Sequence, residues 1–368
     1  MIVILYGTAA EPWVGPIAAA IQNAAEARGG EVVALTLESA LRARREWQSV
    51  RRLYVLPFDV PADLPQELPL DASLLIKELF PRAEVVNGMA AHALCWDKLA
   101  AARRLLERGV AMPETLITMD PEEAGDFVRH HQQAILKEPR ACGGHGHVVL
   151  LADGRGGIAG EIPDRRYAVE LTLSGVGRQL RHGVLTCPPP FYLQRLVTDV
   201  GRGGVLLPAQ ILRAYVVDGQ ITFWAERRRD KIRRPADFII SAAFGARYHF
   251  VRAVSDAAET LARRAAESLG VRIGAIDLIR AGDQGPFVLE ADTDGQHLVI
   301  DRSFKQLPDY RDVFDLDRMI ADVLLAPDVE IRTGTVGVER RERPERARRP
   351  SPPRPLRPLR ARPRRPPR

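Results

Sequence analysis

The stretch Val271 to Ile300 reads Val-Arg-Ile-Gly-Ala-Ile-Asp-Leu-Ile-Arg-Ala-Gly-Asp-Gln-Gly-Pro-Phe-Val-Leu-Glu-Ala-Asp-Thr-Asp-Gly-Gln-His-Leu-Val-Ile. Apolar runs at Ile273 to Ile279 and Phe287 to Ala291 flank a Gly-Asp-Gln-Gly turn signal, which predicts a β-hairpin. Alternation along a strand puts Glu290 and Asp292 on one face. A four-residue loop over Gly282 to Gly285 would set Ala281 opposite Pro286 and Asp277 opposite Glu290, so three carboxylates converge. Like charges that close raise one another's pKa, and the trio persists most easily around a cation. Oxygen ligands suit a hard ion, and magnesium is the ion that shares them with phosphates. The plainer alternative is the wet face of an ordinary antiparallel pair.

At 368 residues the chain has room for two or three domains. No apolar run approaches the length of a membrane span. Met1 to Gly7 lacks a basic n-region and reads as a first buried strand. Cys95, Cys142 and Cys187 are widely spaced and odd in number, which argues against a disulfide framework and fits a reducing cytoplasm. The net charge of +6 is unevenly spread. Of the 53 Lys and Arg and 47 Asp and Glu, 13 Arg and 3 Glu lie in 339–368, a net of +10. That leaves 40 basic and 44 acidic side chains in the first 338 residues, a net of −4. Nucleic-acid binding is therefore not expected of the folded body. The Arg/Pro-rich tail, 338–368, cannot build a core and is expected to be disordered and dispensable. It is either a plain solvated extension or an electrostatic contact for acidic partners.

Strands at Ile2 to Leu5, Val32 to Leu37, Leu53 to Leu56 and Glu84 to Val86 alternate with helices at Val14 to Arg28 and Leu74 to Phe80, which predicts an open α/β domain over 1–95. No Gly-x-Gly-x-x-Gly follows its first strand, so a dinucleotide site is not expected. Trp96 to Arg108 is predicted helical. Ala134 to Leu136 runs into Lys137 and a turn containing Gly143, Gly144 and Gly146. A lysine at a strand end before such a turn suits phosphate, with backbone N–H groups closing on the oxygens; a plain hairpin turn is the alternative. His145 and His147 read as solvent-facing. A strand over Phe191 to Val197 follows a Pro-rich approach. Ile211 to Val217 and Ile221 to Trp224 pair on the turn Asp218-Gly219, carrying Arg213 and delivering Arg227 just past the hairpin's end. Arg227 to Arg234 is strongly basic, and Val254 to Leu269 is a helix closed by Gly270.

In this order the elements resemble the ATP-grasp superfamily, in the branch of glutathione synthetase, ribosomal-protein glutamate ligases and microviridin-type peptide maturases. The resemblance covers about residues 1–325. It rests on Asp97-Lys98 after Val85-Val86-Asn87, Lys137 with its glycine turn, Gln194 to Val197, Arg213, Arg227, Gly274-Ala275-Ile276-Asp277 and Leu289-Glu290-Ala291-Asp292. It implies a mixed α/β and α+β fold: an N-terminal domain over 1–95 and two α+β subdomains, 96–190 and 191–330, clasping a nucleotide. The implied activity joins a carboxylate to an amine with ATP through an acyl phosphate, on an amino acid, small peptide or peptide terminus. Lys98 and Lys137, with Gly144 and Gly146, would hold ATP phosphates. Gln194, Arg195, Leu196 and Val197 would hold adenine. Asp277, Glu290 and Asp292 would hold magnesium, with manganese as the alternative ion, while Arg213 and Arg227 would clamp the acyl phosphate. Four departures stand out: Arg195 and Ile211 occupy positions usually acidic, Ser241 replaces an Asn, and Asp292 replaces another. The competing readings are a maturase of ribosomally made peptides and a nucleotide-binding protein that no longer ligates. Oligomeric state is open, a homo-oligomer included.

Overall fold

The computed structural model describes residues 1–7, 14–43, 46–58, 68–69, 71–140, 144–153, 157–163, 169–173, 179–181, 184–200, 206–229, 232–293 and 315–326. The tail over 338–368, Gly143 and the Asp-Gly-Gln run at 294–296 lie outside the described residues. Residues 1–326 form one compact unit.

The N-terminal part of the unit is α/β. Strands Ile2–Tyr6, Val32–Thr36, Arg52–Val55 and Glu84–Val86 form a parallel four-stranded sheet with Ile2–Tyr6 between the second and third. Neighbours on the first strand point to opposite faces. Val3 and Leu5 pack with Leu75, Leu79 and Phe80 of the helix Ala72–Leu79 and its end. Ile2 and Ile4 pack with Ile17 and Ile21 of Val14–Glu26 and with Ile320 and Leu324 of the last described helix, Leu316–Leu325. Val32–Thr36 is shorter than the apolar run because the Thr36 hydroxyl caps a helix, Leu37–Arg42, by accepting from Ser39 N.

The helix predicted over 96–108 is Lys98–Glu107, and a helix the sequence did not announce, Met89–Trp96, precedes it. Asp97 separates the two: its carboxylate accepts from Leu99 N and Ala100 N, a strong N-cap for the second helix.

An eight-stranded, largely antiparallel sheet follows. Within it Phe191–Arg195 lies between Gln133–Leu136 and Thr115–Thr118, so the hinge run belongs to the sheet that carries Lys137. A five-stranded antiparallel sheet completes the unit, ordered Arg247–Val251, Gln220–Arg228, Gln210–Val217, Ile273–Ala281, Gln284–Asp292. Its Asp218-Gly219 turn has both residues at positive φ, 50° and 74°, as a two-residue hairpin turn of the primed type requires. The second strand runs to Arg228, so Arg227 is inside the sheet opposite Ile211 and not beyond its end.

Strand alternation gives this sheet two different faces. One carries Leu212, Ala214, Val216, Ile276 and Leu278 beneath helices Lys98–Glu107 and Asp256–Leu269. The longer helix is capped by Ser255 and stopped by Gly270 at φ 71°. The opposite face carries Arg213, Arg227, Asp277 and Glu290, as the cross-strand pairs Arg213–Asp277 and Asp277–Glu290 require.

The hairpin turn differs from the expected four-residue loop. Ala281 pairs with Gln284, leaving a two-residue loop, and two irregularities lie between there and Asp277. Each shifts the register by one residue, so Asp277 still meets Glu290 and Ala275 meets Asp292.

Candidate functional site

Seven charged side chains meet at the sheet face just described. Asp277 is 1% exposed, and both its oxygens are engaged. Arg213 donates from Nε to Oδ1 at 2.7 Å and from Nη2 to Oδ2 at 3.1 Å. Arg227 also donates from Nη2 to Oδ2. Arg213 reaches Asp292 through Nη1, 3.2 Å from Oδ2. Lys98 Nζ lies 3.1 Å from Glu290 Oε2. A lysine in the first turn of a helix is opposed by the helix dipole, so this carboxylate is what makes its place favourable.

The three carboxylates do not stand against one another alone. Protein guanidinium and ammonium groups neutralise them, and among the described residues no three His, Cys, Asp or Glu side chains are gathered to hold a metal ion by themselves. Burial opposes the charged form of Glu290, but Lys98, Arg227 and Lys137 outweigh it and hold the carboxyl well below the usual range. Burial likewise opposes charge on Arg213, and Asp277, Tyr248 and Asp292 more than offset it.

Lys137 is buried, with its N–H donating to Tyr192 O at 2.9 Å and Nζ 5.5 Å from the Tyr192 ring centroid. Burial pushes its ammonium down to about 8, Glu290 and Asp277 pulling upward and Lys98 and Arg227 adding to the fall. Those neighbours place it in the same cluster. The loop after it returns at Gly144, φ 80°, where a Cβ would come within 2.9 Å of Ile239 Cγ2 and 3.3 Å of Phe244. Gly144 is therefore packed against the segment 239–244, a contact no local pattern announces. His145 lies against Phe244, ring centroids 5.2 Å apart. His147 is buried, not solvent-facing, and Nδ1 accepts from Glu138 N at 3.2 Å. Gly146, at φ 70°, is exposed.

Along the hinge, Gln194 is 1% exposed; Nε2 donates to Thr115 Oγ1 at 3.2 Å, and Oε1 has no partner among the described residues. Arg195 N and Leu196 N donate to Glu114 O and Gln133 O. The Arg195 side chain crosses to the hairpin turn, Nη1 to Gln284 Oε1 at 2.8 Å. Leu196 packs with Phe238 and Ile239, and Val197 with Ile211 and Ile279, so Ile211 lines an apolar junction. Ser241 caps the turn 242–244, accepting from Ala243 N.

Near the site His92 and Thr293 escaped the sequence, and Asn87 was named in it only as part of the run before Asp97-Lys98. Asn87, at φ 52°, accepts at Oδ1 from Arg272 N and Ile273 N and donates to Ile273 O. His92 and Thr293 are joined at 2.9 Å. The only local hint was Asn before Gly88, a pairing suited to left-handed backbone.

Four cations face three carboxylates, and the excess positive charge suits an anionic ligand. Glu290 and Asp292 are part-exposed and bring hard oxygen donors of the kind magnesium takes, while Asp277 lies behind them with both oxygens held by the arginines.

No family model matches the chain. It is 26% identical over 205 residues to a probable alpha-L-glutamate ligase of Sodalis glossinidius, a match over 56% of this chain and 58% of that protein. The chain thus aligns with a little over half of that relative's length. Among solved structures it is similar to the ATP-grasp ligase PsnB, complexed with a phosphomimetic variant of its minimal precursor, Mg and ADP (TM-score 0.54, 18% identity, 88% of this chain and 97% of that one). It is also similar to the macrocyclase MdnB from Microcystis aeruginosa (TM-score 0.54, 15% identity, 89% and 99%). The fold is the ATP-grasp fold. The resemblance read from the motifs holds at the level of the fold.

Proposed function

We propose that this protein is an ATP- and magnesium-dependent carboxylate–amine ligase that forms an amide through an acyl phosphate. The observation that carries the reading is the meeting of Lys98, Lys137, Arg213 and Arg227 with Asp277, Glu290 and Asp292 on one sheet face.

Lys98 and Lys137 are the phosphate holders, each such charge-assisted contact contributing about 1.5–3 kcal/mol. The backbone of Gln194 to Val197 takes the adenine, and the buried, unpartnered Gln194 Oε1 offers a further acceptor there. Arg213 and Arg227 are held in place by Asp277 and present fixed positive charge where negative charge develops on the acyl phosphate and tetrahedral intermediate. Arg227 Nε, buried and without a partner among the described residues, is the donor left for that task. Glu290, Asp292 and Asp277 would hold magnesium, which when bound neutralises the phosphates during transfer. Release of ADP in a screen of amino acids and short peptides as carboxylate and amine tests the reading. A folded protein that binds no nucleotide and releases no ADP with any pair would contradict it.

A second reading, maturation of a ribosomally made peptide, is favoured by the likeness to PsnB, whose structure holds a precursor. ADP release with leader-bearing peptides but with no free amino acid would select it.

A further inference from the structure

We propose that His92 is a positioning residue for Asp292, acting through Thr293, and that the N-terminal domain thereby tunes the site's affinity for its cation. The inference rests on the ligase reading for the role of Asp292, and on the following geometry for the role of His92.

His92 belongs to the helix Met89–Trp96 and is 4% exposed. Its Nε2 lies 2.9 Å from Val55 O, at the end of strand Arg52–Val55. A carbonyl only accepts, so Nε2 carries the proton. In the neutral ring Nδ1 is then an acceptor for the Thr293 hydroxyl, 2.9 Å away. Burial drives the imidazole down to about 4, and bonds to Val55 and Asn87 and the charge of Asp292 only partly oppose this. The ring is a fixed, uncharged spacer between two domains.

Thr293 is 3% exposed and directly follows Asp292. On the other side, Gly274 lets the strand end come so close that a Cβ there would lie 2.5 Å from Asp292 O and 3.4 Å from Thr293 Cγ2. The backbone on either side of the Asp292 side chain is pinned between Gly274 and His92. Asn87 fixes the start of the partner strand at Ile273 in the same way, so one short stretch of the N-terminal domain holds both strands where they leave the site. Groups that orient a metal-holding carboxylate matter through its placement, not through their own charge.

The test uses the full chain and magnesium-dependent ADP binding, followed by calorimetry, for wild type, Thr293→Val, His92→Gln and His92→Asn. Thr293→Val removes the hydroxyl and keeps the shape. His92→Gln keeps a donor toward Val55 and loses the acceptor; His92→Asn keeps an acceptor toward Thr293. Thr293→Val and His92→Gln should raise the magnesium concentration for half-maximal ADP binding by about tenfold. Their metal-free ADP affinity should be unchanged, and the double variant should be no worse than either single one. His92→Asn should stay close to wild type. A lowered melting temperature with unchanged magnesium dependence in Thr293→Val and His92→Gln would overturn the proposal and leave only a structural bond. Absence of magnesium-dependent ADP binding in wild type would instead overturn the ligase reading, and the proposal with it.

Discussion

Arg213 and Asp277 stand opposite each other on neighbouring strands, joined by bonds of 2.7 and 3.1 Å and almost wholly buried. A pair this deep is weak evidence of net stabilisation, but removing one partner leaves an uncompensated charge. Asp277→Asn removes the charge that Arg227 faces and leaves Arg213 with Asp292 alone. It should lower stability by roughly 3–5 kcal/mol in urea unfolding. A loss no larger than that of a surface substitution would show that the arginines are solvated.

Lys137 gives a pH dependence with a definite sign. Its folded ammonium titrates near 8 against 10.5 normally, so from pH 8 to 10.5 the unfolded chain holds the extra proton. Its contribution to stability therefore rises with pH across that window. The stability difference between wild type and Lys137→Met, measured from pH 7 to 10.5, should shift in favour of wild type. ADP affinity should move the other way, falling above pH 8 as the phosphate-holding charge is lost. A difference that stays flat across the window would mean Lys137 is not buried in this way.

Gly274 is required by a close approach. A Cβ would meet the Asp292 carbonyl, which belongs to a strand and cannot swing aside. Gly274→Ala should cost about 1–3 kcal/mol and weaken magnesium-dependent ADP binding. Equal weakening of metal-free ADP binding would mean the damage is not confined to the cation's ligands.

The parallel N-terminal sheet and the two hairpins were legible because they rest on local alternation and turn residues, Asp218-Gly219 above all. The facing of Asp277 and Glu290 was legible too, although the loop behind it was misread. Two register shifts compensated for the two residues by which the loop was overestimated. The helix after Asp97 was legible, but Met89–Trp96 before it was not, because its almost wholly apolar run has no polar face and its N-cap, Gly88, offers no side chain. What the carboxylates are paired with could not be read from local pattern. It depends on Lys98, Lys137, Arg213 and Arg227 arriving from separate elements. His92 with Thr293, and Gly144 against Ile239, are likewise contacts between distant segments.

The central claim, that Glu290 and Asp292 serve a metal-dependent transfer, is tested most directly by titrating magnesium against ADP formation for wild type, Glu290→Gln and Asp292→Asn. Glu290→Gln keeps the shape, removes the charge that Lys98 and Lys137 face, and should lose catalysis more than nucleotide binding. Asp292→Asn should keep substantial activity at a higher magnesium concentration, since ligand charge tunes affinity for hard cations. Glu290→Gln as active as wild type, or no response to magnesium in any of the three, would contradict the claim and leave the carboxylates as partners of the arginines and lysines alone.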